Sequence, residues 1–183
     1  MTLRFSTLSV WDERAWKQVE PIFDEAFPPQ GRKTARMVRK IVETSAGFLH
    51  IGLENDRPVA MAVTGKLPEL NALLIDYIAV ASAAQSRGIG SAMTAFLADE
   101  ASSRGYGALV IEIEADVTAE NAARERFWTS AGFVRTDYVH AYRWVPEPYR
   151  ALYKELRPDA ALPHDGEALF RSITSFHGNI WRG

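Results

Sequence analysis

The sequence predicts an α/β (α+β) protein, because strand-like alternation and helix-like apolar stripes take turns along the 183 residues. A second observation is an apolar strand pattern that passes through a glycine-containing loop into an amphipathic helix, within residues 72–97. A third is that no repeat, low-complexity tract or linker divides the chain. We therefore expect a single domain over residues 1–183.

The N-terminal part predicts one strand and two helices. Apolar and polar residues alternate over residues 3–7, as in a strand. Asp12 stands where an N-cap is expected, before an apolar helical stripe that contains Pro21. Proline lacks an amide hydrogen, so we expect it to kink or split this helix. A short basic helix is expected at about Lys33–Glu43.

The central part predicts a hairpin followed by a buried strand. Residues 49–53 and 59–63 alternate, and Glu54-Asn55-Asp56 supplies turn residues between them. The segment Ala72–Val80 is almost continuously apolar, as expected of a strand covered on both faces, and Asp76 interrupts it.

The second half alternates helix and strand. The patterns predict, in order, a helix from Ile89 to about Gly105, a strand at Ala108–Ala115, a helix from Thr118 to about Ser130, strands at Phe133–Asp137 and Tyr149–Leu156, and a helix capped by Asp165. The predicted order is β-α-α-β-β-β-α-β-α-β-β-α. Parallel strands in the central strand–helix–strand unit would require a right-handed crossover.

Composition excludes several classes of protein. Hydrophobic residues make up 47% and charged residues 24%, as in ordinary globular proteins. The absence of cysteine excludes disulfides, thiolate metal sites and cysteine nucleophiles. The four histidines show no metal-ligand spacing, so we expect no metal site, although a histidine–carboxylate site assembled by folding stays open. We interpret His50 as a structural histidine.

Charge and hydropathy favour a cytoplasmic protein that binds neither membrane nor nucleic acid. No apolar run approaches the roughly 20 residues of a membrane span, and residues 1–10 do not resemble a signal peptide. The formal net charge is −2, which provides no basic field for nucleic acid. The basic cluster at residues 32–40 is either a solvated helix face or a rim that attracts an anionic ligand.

The segment Gln85-Ser86-Arg87-Gly88-Ile89-Gly90 joins the buried strand to the next helix. A helix start leaves backbone N–H groups unpaired at the positive end of the helix dipole. Gly88 and Gly90 remove side chains where a pyrophosphate would approach the backbone. The segment matches neither the Walker A nor the GxGxxG pattern, and by itself it predicts an anion site at a helix start.

This region resembles the acetyl-CoA motif of the GNAT superfamily of N-acetyltransferases, in which a strand precedes Q/R-x-x-G-x-G/A and a helix. Ile78 and Val80 match the strand, and Gln85, Gly88 and Gly90 match the loop in register.

A second GNAT motif is an asparagine, an aromatic pair six and seven residues later, and then Gly-Phe. Asn121, Phe127, Trp128, Gly132 and Phe133 fit this spacing. The two motifs occur in the order in which the family has them.

The resemblance extends from about Leu49 to Asp137 and implies a GNAT-like single acetyltransferase domain. It implies a central, mixed, mostly antiparallel twisted sheet of about seven strands with helices on both faces and an extra C-terminal helix. We expect the core at about residues 1–157 and a C-terminal extension at about 158–183.

The resemblance also implies an enzyme that moves an acetyl group from acetyl-CoA to an amine by direct attack. The backbone of Ile78, Ala79 and Val80 would pair with pantetheine, with the Ile78 amide near the thioester carbonyl. Asn121, Phe127 and Trp128 would contribute to cofactor binding. The pyrophosphate would be held by the loop and first helical turn, which comprise Gln85, Ser86, Arg87, Gly88, Ile89, Gly90 and Ser91.

Three carboxylates are candidates for the proton acceptor that the substrate ammonium requires. Asp76 lies two positions before Ile78 and thus on the same strand face, although pairing with an arginine or a solvated strand end would also explain it. Glu112 and Glu114 share one face of the next strand. They would bind a cationic amine or relay its proton, or they would simply be solvated or paired with arginines.

The acid that protonates the leaving thiolate has no obvious candidate in the second motif. Trp128 stands where many family members have a tyrosine, and an indole N–H does not release a proton at ordinary pH. Tyr138 or Tyr142 would supply the acid, or water would protonate the thiolate. Packing is the alternative role for both tyrosines.

The tyrosines and tryptophan of residues 138–149 suggest a flat or partly apolar acceptor, either a small molecule or a peptide. Two other functions remain open: a catalytically weak acyl-CoA-binding or sensor module, and an acetyltransferase acting on protein or aminoacyl-tRNA. The late strand and terminal helix could also support a homodimer.

Overall fold

The computed structural model describes residues 2–182 and contains eight strands and five α-helices within them. The strands are β1 (Leu3–Leu8), β2 (Gly47–Glu54), β3 (Arg57–Leu67), β4 (Ala72–Val80), β5 (Ala108–Glu114), β6 (Val134–Arg135), β7 (His140–Ala141) and β8 (Pro148–Glu155). The helices are α1 (Glu13–Ala26), α2 (Ala35–Glu43), α3 (Ile89–Ser103), α4 (Ala119–Ser130) and α5 (Gly166–Trp181).

The eight strands belong to one sheet of order β1-β2-β3-β4-β5-β8-β6, with β7 paired to β8. The pairs β1–β2, β2–β3, β5–β8, β6–β8 and β7–β8 are antiparallel. The predicted fold class is therefore confirmed, with one strand more than the sequence suggested. No helix within residues 2–182 has both the length and the apolar character that crossing a membrane requires.

The described residues form two compact units. One is built from the chain up to Gly65 together with Ile75–Glu100, and the other from Lys66–Leu74 together with the chain from Ala101 onward. The single domain over residues 1–183 stays a prediction, and its terminal residues Met1 and Gly183 lie outside the described residues.

In the first unit, α1 begins where the sequence predicts, since an Asp12 carboxylate oxygen accepts the Ala15 N–H at 3.0 Å. The helix continues through Pro21 as one element, so the expectation that proline would split it is wrong. The buried face, which includes Trp16, Val19 and Phe23, spans both sides of the proline. Burial of this face stabilises the helix enough to tolerate one missing hydrogen bond.

The strands of the first unit meet in the predicted hairpin. Asn55 and Asp56 connect β2 to β3 with φ values of 49° and 64°, which suits the tight turns that hairpins favour. His50 on β2 is 1% exposed, and its ring nitrogens lie 2.9 Å from Thr7 Oγ1 on β1 and 2.8 Å from Thr64 Oγ1 on β3. Its interpretation as a structural histidine fits these contacts.

The second unit contains the long antiparallel pair β5–β8, in which Glu112 lies opposite Ala151 and Glu114 lies opposite Tyr149. Thr118 caps α4 and Asp165 caps α5, as predicted. The strand expected at Phe133–Asp137 is shorter in the structure, where β6 comprises Val134 and Arg135 and the next residue, Thr136, donates both its N–H and its hydroxyl to Ala151 O of β8. The two-residue strand β7 was not predicted.

Candidate functional site

The glycine loop between β4 and α3 has the geometry of a helix-start anion site. Ser86 and Gly88 both adopt left-handed backbone conformations, with φ values of 60° and 79°. Gly88 O accepts the Ala92 N–H at 3.0 Å, which is the first hydrogen bond of α3. The amides of the first helical turn, which starts at Ile89 and continues with Gly90 and Ser91, therefore have no acceptor within the helix. Such amides bind anionic oxygens.

The surroundings of the loop fix its conformation and leave space beside it. Gln85 Nε2 donates to Val80 O at 3.2 Å, which closes the turn at the end of β4. The Arg87 guanidinium pairs with Glu54 at 2.6 Å. A β-carbon built on Gly88 would meet no atom within 4 Å. The loop is thus open at Gly88, and glycine is favoured there by backbone conformation and not by packing.

The end of β4 supplies the other residues that the resemblance assigns to the cofactor. Ile78, Ala79 and Val80 are its last three residues, and Ala79 is buried while its two neighbours are half-buried. The chain then turns as the Ala81 N–H donates to Val59 O at 2.9 Å.

Asp76, earlier on β4, forms a buried ion pair. Its Oδ1 lies 2.9 Å from Lys33 Nζ, and each side chain is only 4% exposed. Lys33 is anchored further, because its backbone N–H donates to the Tyr77 hydroxyl at 2.8 Å and its ammonium lies 5.4 Å from the Tyr77 ring centroid. The sequence suggested an arginine partner as the alternative to a catalytic role, and the structure shows a lysine from the segment before α2.

In the second unit, two side chains converge on Glu112 of β5. Its Oε2 accepts the Tyr142 hydroxyl at 2.6 Å, and its Oε1 lies 2.6 Å from Nε2 of His177 on α5. His177 was missed by sequence reasoning. A signal was available, because residue 177 falls on the apolar stripe of α5 that includes Ile173 and Ile180, where a polar residue would be buried.

Glu114 and Tyr149 face each other across the β5–β8 pair. Glu114 Oε2 lies 3.9 Å from an Arg124 guanidinium nitrogen, a long and partly solvated ion pair. Burial raises the pKa of Tyr149 to about 12, and the negative charges of Glu114, Glu112 and Glu147 add to the shift. The Tyr149 hydroxyl thus lies in a poorly solvated position with several carboxylates near it.

Aromatic rings accompany these carboxylates. The Tyr142 ring centroid lies 4.9 Å from Trp144 and 5.5 Å from Tyr149, and Trp144 is 58% exposed. The Tyr138 hydroxyl lies 3.4 Å from His140 Nδ1, and its ring is 5.9 Å from Phe170. Aromatic faces beside carboxylates favour an organic cation.

The residues of the second motif are packed within their own unit. Asn121 Nδ2 donates to Asp116 O at 3.1 Å, and its Oδ1 accepts from Arg124 at 3.0 Å. Trp128 is 3% exposed and makes edge-to-face contacts with Phe127 and Phe133. Within residues 2–182, no group of three histidine or acidic side chains is placed to hold a metal ion.

Comparison with known proteins assigns this arrangement to a family. Residues 16–133 match the acetyltransferase (GNAT) family. None of the curated proteins compared matches the sequence significantly.

Several solved structures share the fold. An N-acetyltransferase from Staphylococcus aureus is 16% identical with a TM-score of 0.68, and the match covers 85% of this chain and 99% of that one. The ribosomal-protein-S18-alanine N-acetyltransferase of Escherichia coli is 21% identical with a TM-score of 0.64, covering 85% and 94%. A Bacillus subtilis acetyltransferase in complex with CoA is 14% identical with a TM-score of 0.60, covering 85% and 100%.

Proposed function

The chain belongs to the acetyltransferase (GNAT) family, and from that premise we propose that it transfers an acetyl group from acetyl-CoA to an amine of a small molecule or peptide. The observation that carries the proposal is the loop between β4 and α3. Its left-handed residues Ser86 and Gly88 lead into a helix start whose amides suit the pyrophosphate of coenzyme A.

The cofactor would be held mainly by backbone groups. In this proposal the amides from Gln85 to Ser91 bind the pyrophosphate, and the backbone of Ile78–Val80 pairs with the pantetheine arm. Asn121, Phe127 and Trp128 would complete cofactor binding. The Ile78 amide would donate to the oxyanion of the tetrahedral intermediate, and one such preorganised donor typically contributes about 3–4 kcal/mol.

The acceptor is proposed to be a cationic amine with a flat or partly apolar body. Support comes from the second unit, where Tyr142, Trp144 and Tyr149 lie together near Glu112 and Glu114. The candidates for the proton acceptor are Asp76, Glu112 and Glu114, and those for the acid are Tyr138 and Tyr142. A cytoplasmic location and a homodimer are further parts of this proposal, to be tested by fractionation and by sedimentation.

The test is thiol release from acetyl-CoA across a panel of amines, small peptides and polyanions. Gly88→Ala and Gly88→Trp form a matched pair, because both place a side chain on the same left-handed backbone and only tryptophan fills the adjoining space. We expect turnover with cationic amines, partial retention in Gly88→Ala and loss of acetyl-CoA binding in Gly88→Trp.

Other results would contradict parts of the proposal. Absence of acetyl-CoA binding by the parent at millimolar concentration would overturn it. Tight binding without turnover on any amine would favour the sensor module. Reaction with polyanions alone would contradict the cationic acceptor.

A further inference from the structure

We propose that His177 is a positioning residue for acetyl transfer, which holds Glu112 so that this carboxylate takes a proton from the acceptor amine through Tyr142. The inference rests on the proposed function, because it requires an amine acceptor. It adds a residue that lies outside the family-matched residues 16–133.

The geometry engages both oxygens of one carboxylate. Glu112 Oε1 is 2.6 Å from His177 Nε2, and Oε2 is 2.6 Å from the Tyr142 hydroxyl. The side chains of Glu112 and His177 are 16% and 8% exposed, so these contacts are largely shielded from solvent. Short hydrogen bonds to an ionised group are the strong kind, and they restrict its orientation.

The direction of the hydrogen bonds sets the direction of proton movement. Tyr142 donates its only hydroxyl proton to Glu112, so towards a ligand its oxygen can act only as an acceptor. An ammonium bound at Tyr142 would pass one proton to the tyrosine oxygen while the tyrosine proton moves to Glu112 Oε2. The relay therefore deprotonates the acceptor amine.

The remaining steps balance without another reactant. The neutral amine attacks the acetyl carbonyl carbon, a C–N bond forms, and the C–S bond breaks as the coenzyme A thiolate leaves. The second nitrogen proton goes to the thiolate, which gives the amide and the free thiol. Glu112 keeps the first proton and later releases it to solvent.

His177 would determine which oxygen of Glu112 receives the proton. A carboxylate can only accept, so the contact at Oε1 requires the Nε2–H form of the imidazole. With Oε1 occupied by that donor, Oε2 is left facing Tyr142 as the proton acceptor.

The first measurement is independent of turnover. The ring ¹⁵N shifts of His177 in the folded parent should show a protonated Nε2. An unprotonated Nε2 would overturn the relay, even in a preparation that acetylates amines. If Nε2 is protonated but the parent releases no thiol from acetyl-CoA, the proposed function is wrong, whereas the hydrogen bond from His177 to Glu112 is supported.

The second measurement compares variants by steady-state kinetics. We expect His177→Leu to lower kcat about tenfold or more with the KM for acetyl-CoA unchanged, and His177→Gln, which keeps a donor, to recover kcat to within about threefold. The kcat of the double variant Glu112→Gln/His177→Leu should be no lower than the kcat of Glu112→Gln alone, because His177 is proposed to act only through Glu112.

The matched control is His164→Leu, which removes a histidine from an exposed pair with Glu155 at 3.0 Å and should leave kcat unchanged. Unchanged kcat in folded His177→Leu, or multiplicative losses in the double variant, would overturn the inference. If His177→Leu fails to fold, the ¹⁵N shifts and the His177→Gln kinetics still decide, since a kcat about tenfold or more below that of the parent in His177→Gln would contradict the donor role.

Discussion

Asp76 on β4 and Glu112 on β5 are both carboxylates in largely apolar strands, yet their partners differ in kind. Asp76 is paired with the buried ammonium of Lys33. Glu112 is held by a tyrosine hydroxyl and an imidazole. An acidic residue in an apolar strand is therefore one sequence signal with two chemical outcomes, and only the partners distinguish them.

The difference bears on which carboxylate handles substrate protons. Protonation of Asp76 would remove the acidic partner of a buried lysine, which is costly in a poorly solvated site. Glu112 instead accepts a hydrogen bond from a tyrosine hydroxyl and contacts an imidazole, and such partners suit a carboxylate that takes up and releases a proton. We therefore favour Glu112 as the proton acceptor and a structural role for Asp76.

The largest effect is expected from breaking the buried ion pair. Lys33→Met should reduce the free energy of unfolding by about 3–5 kcal/mol, because it leaves a buried carboxylate without its cation. Chemical denaturation measures this loss. Lys17→Met is the control, since Lys17 pairs with Glu20 on the exposed face of α1 and its removal should change little. Equal losses in the two variants would contradict the structural role of Asp76.

An intermediate effect is expected from the two carboxylates themselves. Glu112→Gln should lower kcat by about a hundredfold, since a positioned proton acceptor typically contributes at least that factor. Asp76→Asn should lower the denaturation midpoint, and it should lower kcat by a smaller factor than Glu112→Gln does. Both quantities can be measured on the same preparations. The reverse pattern, with kcat more sensitive at Asp76, would restore Asp76 as the proton acceptor.

The smallest effect concerns the charge around Glu112. Because the folded state raises the pKa of Tyr149 from 10.0 to about 12, this tyrosine favours folding fully only below pH 10, and its contribution is lost as the pH rises through about 12. Near-ultraviolet titration of the parent against Tyr149→Phe should reveal one late-titrating tyrosinate.

Two further variants measure how much neighbouring carboxylates contribute to the raised pKa of Tyr149. Glu114→Gln should lower the pKa of Tyr149 more than Glu147→Gln does, because Glu114 is the stronger of the two charge effects. Titration of Tyr149 together with ordinary exposed tyrosines would contradict its burial beside these carboxylates.

Local patterns predicted most of the fold. The strand Ala72–Val80 has the predicted bounds, and Asp12, Thr118 and Asp165 cap the helices assigned to them. These features depend on residues close in sequence, where periodicity and capping act directly. The strand β7 was missed because two residues are too few to show alternation.

The partners in the candidate site were harder to predict. Lys33 and Asp76 are 43 residues apart, and Glu112 and His177 are 65 apart. Sequence reasoning identified both carboxylates from their contrast with apolar neighbours. It could not choose between ammonium, hydroxyl and imidazole partners, because that choice depends on contacts made only after folding.

His50 on β2, whose side chain contacts threonines of both β1 and β3, affects the polarity of the first unit. When the His50 imidazole is neutral, it donates at one nitrogen and accepts at the other, so Thr7 and Thr64 then take opposite roles on either side of it. Because hydroxyl groups rotate, this row of three side chains can carry its dipole in either direction while both of these hydrogen bonds are kept. The three strands are thus joined by a polar cross-link that fixes their spacing without fixing its own direction.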